Sequence, residues 1–189
     1  MNIGILKEEK FPADKRVAFS PNQCKKIISL YPNINIYVQK SDIRCYNDEE
    51  YIKSGINVVD DVSNCDILFG IKEVPKVKLI ANKTYFFFSH TIKEQEYNRD
   101  LLLKMISLNI SMIDYEVLKS SNGNRLLGFG RFAGIVGAYN AFLTYGLKSK
   151  KYSLKPAYKC IDRIEMEQEL SNIKLNSERF IITGKGRVG

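Results

Sequence analysis

The feature that most constrains this chain is a set of short, compact apolar runs separated by helical patterns. CDILFGI at 65–71 and TYFFF at 84–88 are continuously apolar, the mark of strands covered on both faces. Asn2–Leu6, Ile34–Val38 and Ile110–Ile113 read as further strands. Helices are expected between them. One runs from Ser20-Pro21 to about Leu30, where serine at the N-cap and proline at the first helical position form a start signal. A short one opens on Asp48-Glu49-Glu50, whose charge suits the positive end of a helix dipole. A third covers Glu94–Ser107, with Leu101, Leu102 and Met105 turned inward. Strands alternating with helices predict a mostly parallel sheet flanked by helices, a Rossmann-like α/β domain.

The pattern changes after Asn122-Gly123, which reads as a turn before a short strand at Leu126–Gly128. FAGIVGAYNAFLTYGL at 132–147 is an almost wholly apolar helix and expects burial on most sides. Gly134, Gly137, Ala138 and Ala141 along it leave room for another backbone to approach. A charged helix is expected over Asp162–Leu175. Arg179–Thr183 then reads as a strand that runs straight into GKGRVG at 184–189.

Bulk properties exclude several classes of function. At 44% hydrophobic and 26% charged, the chain has the composition of a soluble globular protein. No apolar run approaches the roughly 20 residues of a membrane helix, and MNIGILKEEK does not read as a secretory signal. No membrane role and a cytoplasmic location are therefore expected. Of the net charge of +8, residues 145–189 carry +5, including Lys148, Lys150, Lys151, Lys155 and Lys159. No aromatic-rich RNA signature or basic recognition helix accompanies them, so no nucleic-acid partner is expected. Cys24, Cys45, Cys65 and Cys160 lie far apart with a single histidine in the chain, which predicts neither a metal site nor disulfides.

Two segments carry chemistry. In a nucleotide-binding βαβ unit the first glycine permits a tight turn, the second lets backbone approach a pyrophosphate, and the third lets the helix pack on the strand. Gly184, Gly186 and Gly189 have that spacing and follow a strand-like FIIT. The helix and the acidic residue some 20 positions on that would complete the site lie beyond Gly189, so the nucleotide site is expected to be cut off. Gly128, Gly130 and Gly134 imitate the motif, but their last gap is one residue too long and they read as close packing. The second segment is a set of polar residues at strand ends: Lys72-Glu73 after CDILFGI, His90 and Lys93 after TYFFFS, and Asp114 and Glu116 after ISMI. Carboxyl ends of parallel strands share one edge, where ligands bind. Histidine titrates near neutrality, and a lysine of lowered pKa can share proton transfer with it.

Lys7, Glu8, Arg16, Val17, Ala18 and Pro21, with GIKEVP at 70–75, resemble the N-terminal domain shared by alanine dehydrogenase, nicotinamide nucleotide transhydrogenase and lysine-forming saccharopine dehydrogenase. Phe88 to Lys93, Asp114 to Arg125 and GFGRFAGIVGA at 128–138 are more similar to the saccharopine branch. That resemblance implies an NAD- or NADP-dependent oxidoreductase acting on a C–N bond. In it Lys72 and His90 match the acid–base pair, Arg16 and Arg125 match positions that hold substrate carboxylates, and Lys93 and Glu116 match positions around that pocket. Asp114 and Arg131 are left unassigned, and Glu73 reads as a solvated or supporting carboxylate. The implied organisation is a substrate domain over 1–131, linking helices over 132–177 and the start of a truncated dinucleotide-binding domain over 178–189. The implied partners are an amino-acid or oxo-acid substrate and a separate or missing nucleotide-binding half. Two alternatives use the same residues: a truncated product or amino-acid-binding module without catalysis, and an alanine dehydrogenase-like enzyme, which Lys93 disfavours.

Overall fold

A computed structural model describes residues 1–186 and residue 188, in two compact units, Met1–Leu127 and Gly128–Gly189. In the first unit the strands are β1 (Asn2–Ile5), β2 (Asn35–Gln39), β3 (Asn57–Val59), β4 (Ile67–Phe69), β5 (Thr84–Phe87) and β6 (Ser111–Asp114). They form one sheet in the order β3-β2-β1-β4-β5-β6, and every pairing is parallel. Helices α1 (Pro21–Leu30), α2 (Asp48–Lys53) and α3 (Glu96–Ser107) fill the crossovers. This is the expected Rossmann-like α/β architecture. The chain builds outward from β1 to β3, then returns to β4 beside β1 and builds the other way. Connections therefore diverge at β1 and β4, which leaves a crevice at their carboxyl ends.

Alternation along each strand divides the core between the faces. Leu68, Tyr85 and Phe87 pack with Val62, Cys65, Leu101 and Met105. Ile3, Ile5, Ile36 and Val38 pack with Cys24, Tyr51 and Ile56. Gly4 sits where β1 passes close to its neighbours, since a Cβ there would lie 2.7 Å from Leu68 Cδ2. Helix α1 starts as its sequence indicates: Ser20 and Gln23 form a capping box and Pro21 opens the first turn. Asn47 and Glu50 do the same for α2.

Some expected elements differ. Strand β4 covers only the middle of the 65–71 run, because Cys65 turns into the core before it and Ile71 joins a third cluster with Phe88 and Tyr115 after it. Strand β3 has too few residues to show a period. No strand forms at 126–128; the Asn122-Gly123 turn instead closes a minimal hairpin with one bridge, Lys119 to Arg125.

The second unit contains α4 (Gly130–Ser149) and α5 (Arg163–Ser171), packed around Tyr139, Leu154 and Met166. Helix α4 is longer than the expected 132–147 and is not buried on most sides by the described residues: Phe132, Val136 and Leu147 are exposed. Its small residues divide. A Cβ on Gly134 would strike the Val188 carbonyl oxygen, whereas none of the described residues approaches Gly137. Asp162 caps α5, which ends at Ser171 rather than near Leu175. Residues 179–183 are not a strand, because no other strand of this unit is there to share a ladder among the described residues. Ile181 and Ile182 are exposed. Among the described residues, no helix is long and apolar enough to cross a membrane.

Candidate active site

The carboxyl ends of β1, β4, β5 and β6 carry the polar residues of the first unit, in two neighbouring groups. After β1, the buried Glu8 carboxylate accepts the backbone N–H groups of Ile71 (2.7 Å) and Lys72 (2.9 Å). One side chain thus ties the β1 loop to the β4 loop across the divergence point. Burial raises the Glu8 pKa and outweighs the two backbone hydrogen bonds that lower it. Arg16 grips Asp14 through its side chain, with Nε 2.8 Å from Oδ1. Those hydrogen bonds hold the Asp14 carboxyl below its usual range, and the Lys72 ammonium adds a smaller pull. Lys72 is half-buried and lines a cleft of about 230 Å³ with Glu8, Glu9, Gln39, Glu73 and Lys78. Its ammonium makes no hydrogen bond or ion pair among the described residues.

The second group surrounds His90, which follows β5 in the left-handed backbone region at φ 58°. Its Nδ1 lies 3.0 Å from Glu116 Oε2, and its ring stacks on Phe88 with centroids 6.3 Å apart. Lys93 Nζ approaches Nδ1 at 3.1 Å and Glu116 Oε1 at 3.4 Å. Arg125 Nη2 is 3.2 Å from the same oxygen, with its guanidinium over the Phe88 ring. Burial pushes the Glu116 pKa up, but hydrogen bonds from His90 and Lys93 outweigh it and hold the carboxyl below its ordinary value. Nδ1 faces both an ionised carboxylate, which only accepts, and the Lys93 ammonium, which only donates. The shorter contact, to Glu116, places the proton on Nδ1 and leaves the ammonium to the carboxylate. Nε2 is then the basic nitrogen. It faces Glu73 Oε1 at 3.8 Å, a buried oxygen with no hydrogen bond among the described residues. A proton taken up on Nε2 meets a carboxylate placed to stabilise it.

His90, Lys93, Glu116 and Arg125 are thus brought into one network, while Arg16 and Lys72 gather at the β1–β4 crevice. No hydrogen bond joins Lys72 to His90 among the described residues. Glu73 stands between the groups, bonded to Lys10 and facing His90. Sequence reasoning passed over Glu73 as a supporting carboxylate and gave Glu8 and Asp114 no role, although Asp114 ends β6 and the other two lie in the loops that leave β1 and β4. Among the other candidates, Gly184 adopts φ 103° and a Cβ on Gly186 would meet none of the described residues, while Gly189 lies outside them. The four cysteines are free thiols.

Parallel strands in this order define a Rossmann-like α/β domain with charged side chains along the carboxyl edge of its sheet. Residues 4–136 match the profile of the alanine dehydrogenase/PNT N-terminal domain, and the chain belongs to that family. It is 34% identical over 146 residues to the mitochondrial alpha-aminoadipic semialdehyde synthase of Mus musculus, covering 77% of this chain and 16% of that protein. It is 28% identical over 138 residues to the NAD(+), L-lysine-forming saccharopine dehydrogenase of Yarrowia lipolytica, covering 70% of this chain and 37% of that enzyme. The chain therefore spans well under half the length of both relatives. An L-alanine dehydrogenase structure superposes with a TM-score of 0.63 at 18% identity, over 79% of this chain and 42% of that one, which establishes the shared fold.

Proposed function

We propose that this chain is the substrate-side part of an NAD(P)-dependent oxidoreductase of the saccharopine dehydrogenase type, with Lys72 and His90 as its acid–base pair. The observation that carries the reading is the His90 environment: Nδ1 is committed to Glu116, and Nε2 is left basic at the open edge of the sheet. Oxidation of a secondary amine to an imine, and hydrolysis of that imine, require protons to leave and return at nitrogen and at water. Nε2 of His90 can take such a proton. Lys72, whose ammonium is not tied into an ion pair among the described residues, can exchange one at the neighbouring crevice. Arg16 and Arg125 offer bidentate donors to substrate carboxylates, with Asp14 and Glu116 holding the guanidinium groups in place until a substrate arrives. Lys93 and Glu116 stand beside Arg125 in the His90 network.

NAD or NADP would supply the hydride acceptor. Its pyrophosphate needs backbone N–H groups at the start of a helix that follows a paired strand. The described residues around Gly184 and Gly186 form neither that strand nor that helix. Gly184 and Gly186 do not by themselves build the cradle, and Gly184, Gly186 and Gly189 are proposed as its first contacts only in a complete nucleotide-binding half.

Because Lys72 and His90 are not bonded to one another, an amino-acid-binding module without redox chemistry is the second reading. Calorimetric titration of the chain with saccharopine, and separately with alanine and pyruvate, is expected to show binding of saccharopine, weakened at least about tenfold by Arg16→Ala or Arg125→Ala. No binding, or preference for alanine and pyruvate, overturns the saccharopine reading. NADH consumption with lysine and 2-oxoglutarate, measured with any nucleotide-binding half present and lost in Lys72→Met and His90→Gln, supports the enzyme; binding without consumption leaves the module.

A further inference from the structure

Asp114 ends β6 and is buried, yet the acid–base chemistry above does not use it. Its Oδ2 accepts the Ser89 backbone N–H at 3.0 Å and the Ser89 hydroxyl at 2.5 Å, and its Oδ1 accepts the Glu116 backbone N–H at 2.8 Å. Ser89 immediately precedes His90, and Glu116 is the residue whose carboxylate holds His90 Nδ1. One carboxylate therefore anchors the backbone on both sides of a single side-chain hydrogen bond. The anchoring matters because His90 occupies the left-handed region, where a residue with a Cβ stays only when its surroundings hold it. The Asn98 side-chain amide adds a hydrogen bond to the His90 carbonyl at 3.2 Å, and Ser89 Oγ also meets Thr91 Oγ1 at 2.8 Å. These contacts lie within the β5 connection and its helix. Asp114 links the backbones of the β5 and β6 loops.

We infer that Asp114 is a positioning residue, holding Ser89 and Glu116 so that Glu116 fixes the His90 proton on Nδ1 and leaves Nε2 basic. The inference rests on the acid–base reading for its purpose, but its geometry can be tested without turnover. His90 is the sole histidine of the chain, so its ring nitrogens give one unambiguous set of NMR signals. With the ring neutral, the wild-type nitrogen shifts should report a proton on Nδ1. Asp114→Asn keeps the shape but turns one acceptor into a donor against the Ser89 N–H and hydroxyl. It should lose the fixed Nδ1–H form and show a mixture of tautomers while the rest of the amide spectrum stays folded. Ser89→Ala removes only the hydroxyl bond and should give an intermediate loss; it decides the matter if Asp114→Asn does not fold. A wild-type proton on Nε2, or an unchanged ring pattern in the folded variants, overturns the inference. A purely structural Asp114 would lower the melting temperature and leave the tautomer alone. If the chain shows the expected tautomers but binds no amino acid, the proposed function fails and the positioning role stands.

Discussion

The two units differ most in how they handle their apolar groups. In Met1–Leu127 the apolar residues of the strands are buried on both faces, and the charged residues at the carboxyl edge are joined in networks. In Gly128–Gly189 the core is small, and large apolar residues of α4 and of 179–183 face outward. A parallel sheet satisfies every interior strand through its neighbours, so the first unit completes its own core. A long apolar helix and a lone strand-like segment need surfaces that the described residues of the second unit do not provide. The first unit can therefore hold a site with fixed geometry, and the second displays apolar surface of the kind that marks an interaction face.

The largest expected effect separates the two cores. Phe87→Ala removes a fully buried ring and should cost about 3–5 kcal/mol in urea denaturation. Ile182→Ser changes a residue that is 82% exposed and should stay within about 0.5 kcal/mol. Equal costs would break the comparison. Next in size is association. The isolated chain is expected to scatter light as species heavier than one chain, and Ile181→Lys with Ile182→Glu should shift it toward the monomer. A monodisperse wild-type monomer would show that the outward apolar residues are tolerated as they stand.

The smallest effect concerns pH and sharpens the account of the polar edge. The folded pKa of Glu116 lies below its ordinary value of 4.5. Its contribution to stability is therefore complete above pH 4.5 and is lost as pH falls through the lower folded value. The stability difference between wild type and Glu116→Gln should shrink as pH drops below about 4.5; a difference that is flat with pH would mean that His90 and Lys93 do not stabilise the charge.

The sequence by itself determined the local elements and their class. Strand-like apolar runs and the Ser20-Pro21 cap are properties of short segments and reappear where periodicity and capping place them, whereas the helix expected over 94–107 starts at Glu96 and turns Leu101 and Met105 inward but leaves Leu102 exposed. It also placed Lys72, His90 and Glu116 at strand ends and supplied the motifs of the family. Tertiary structure decided the rest. Reversal of strand order at β1 and β4 brings Glu8 against the backbone of Lys72, 64 residues away. The parallel register of β5 and β6 sets Ser89 and Glu116 on the two oxygens of Asp114. Whether 179–183 becomes a strand was likewise beyond its own residues, since a strand exists only through the hydrogen bonds of a neighbour. Propensity and period are local, while a partner across the sheet is chosen by topology; for that reason His90 and Glu116 were legible as strand-end residues and the hydrogen bonds that join them to each other and to Asp114 were not.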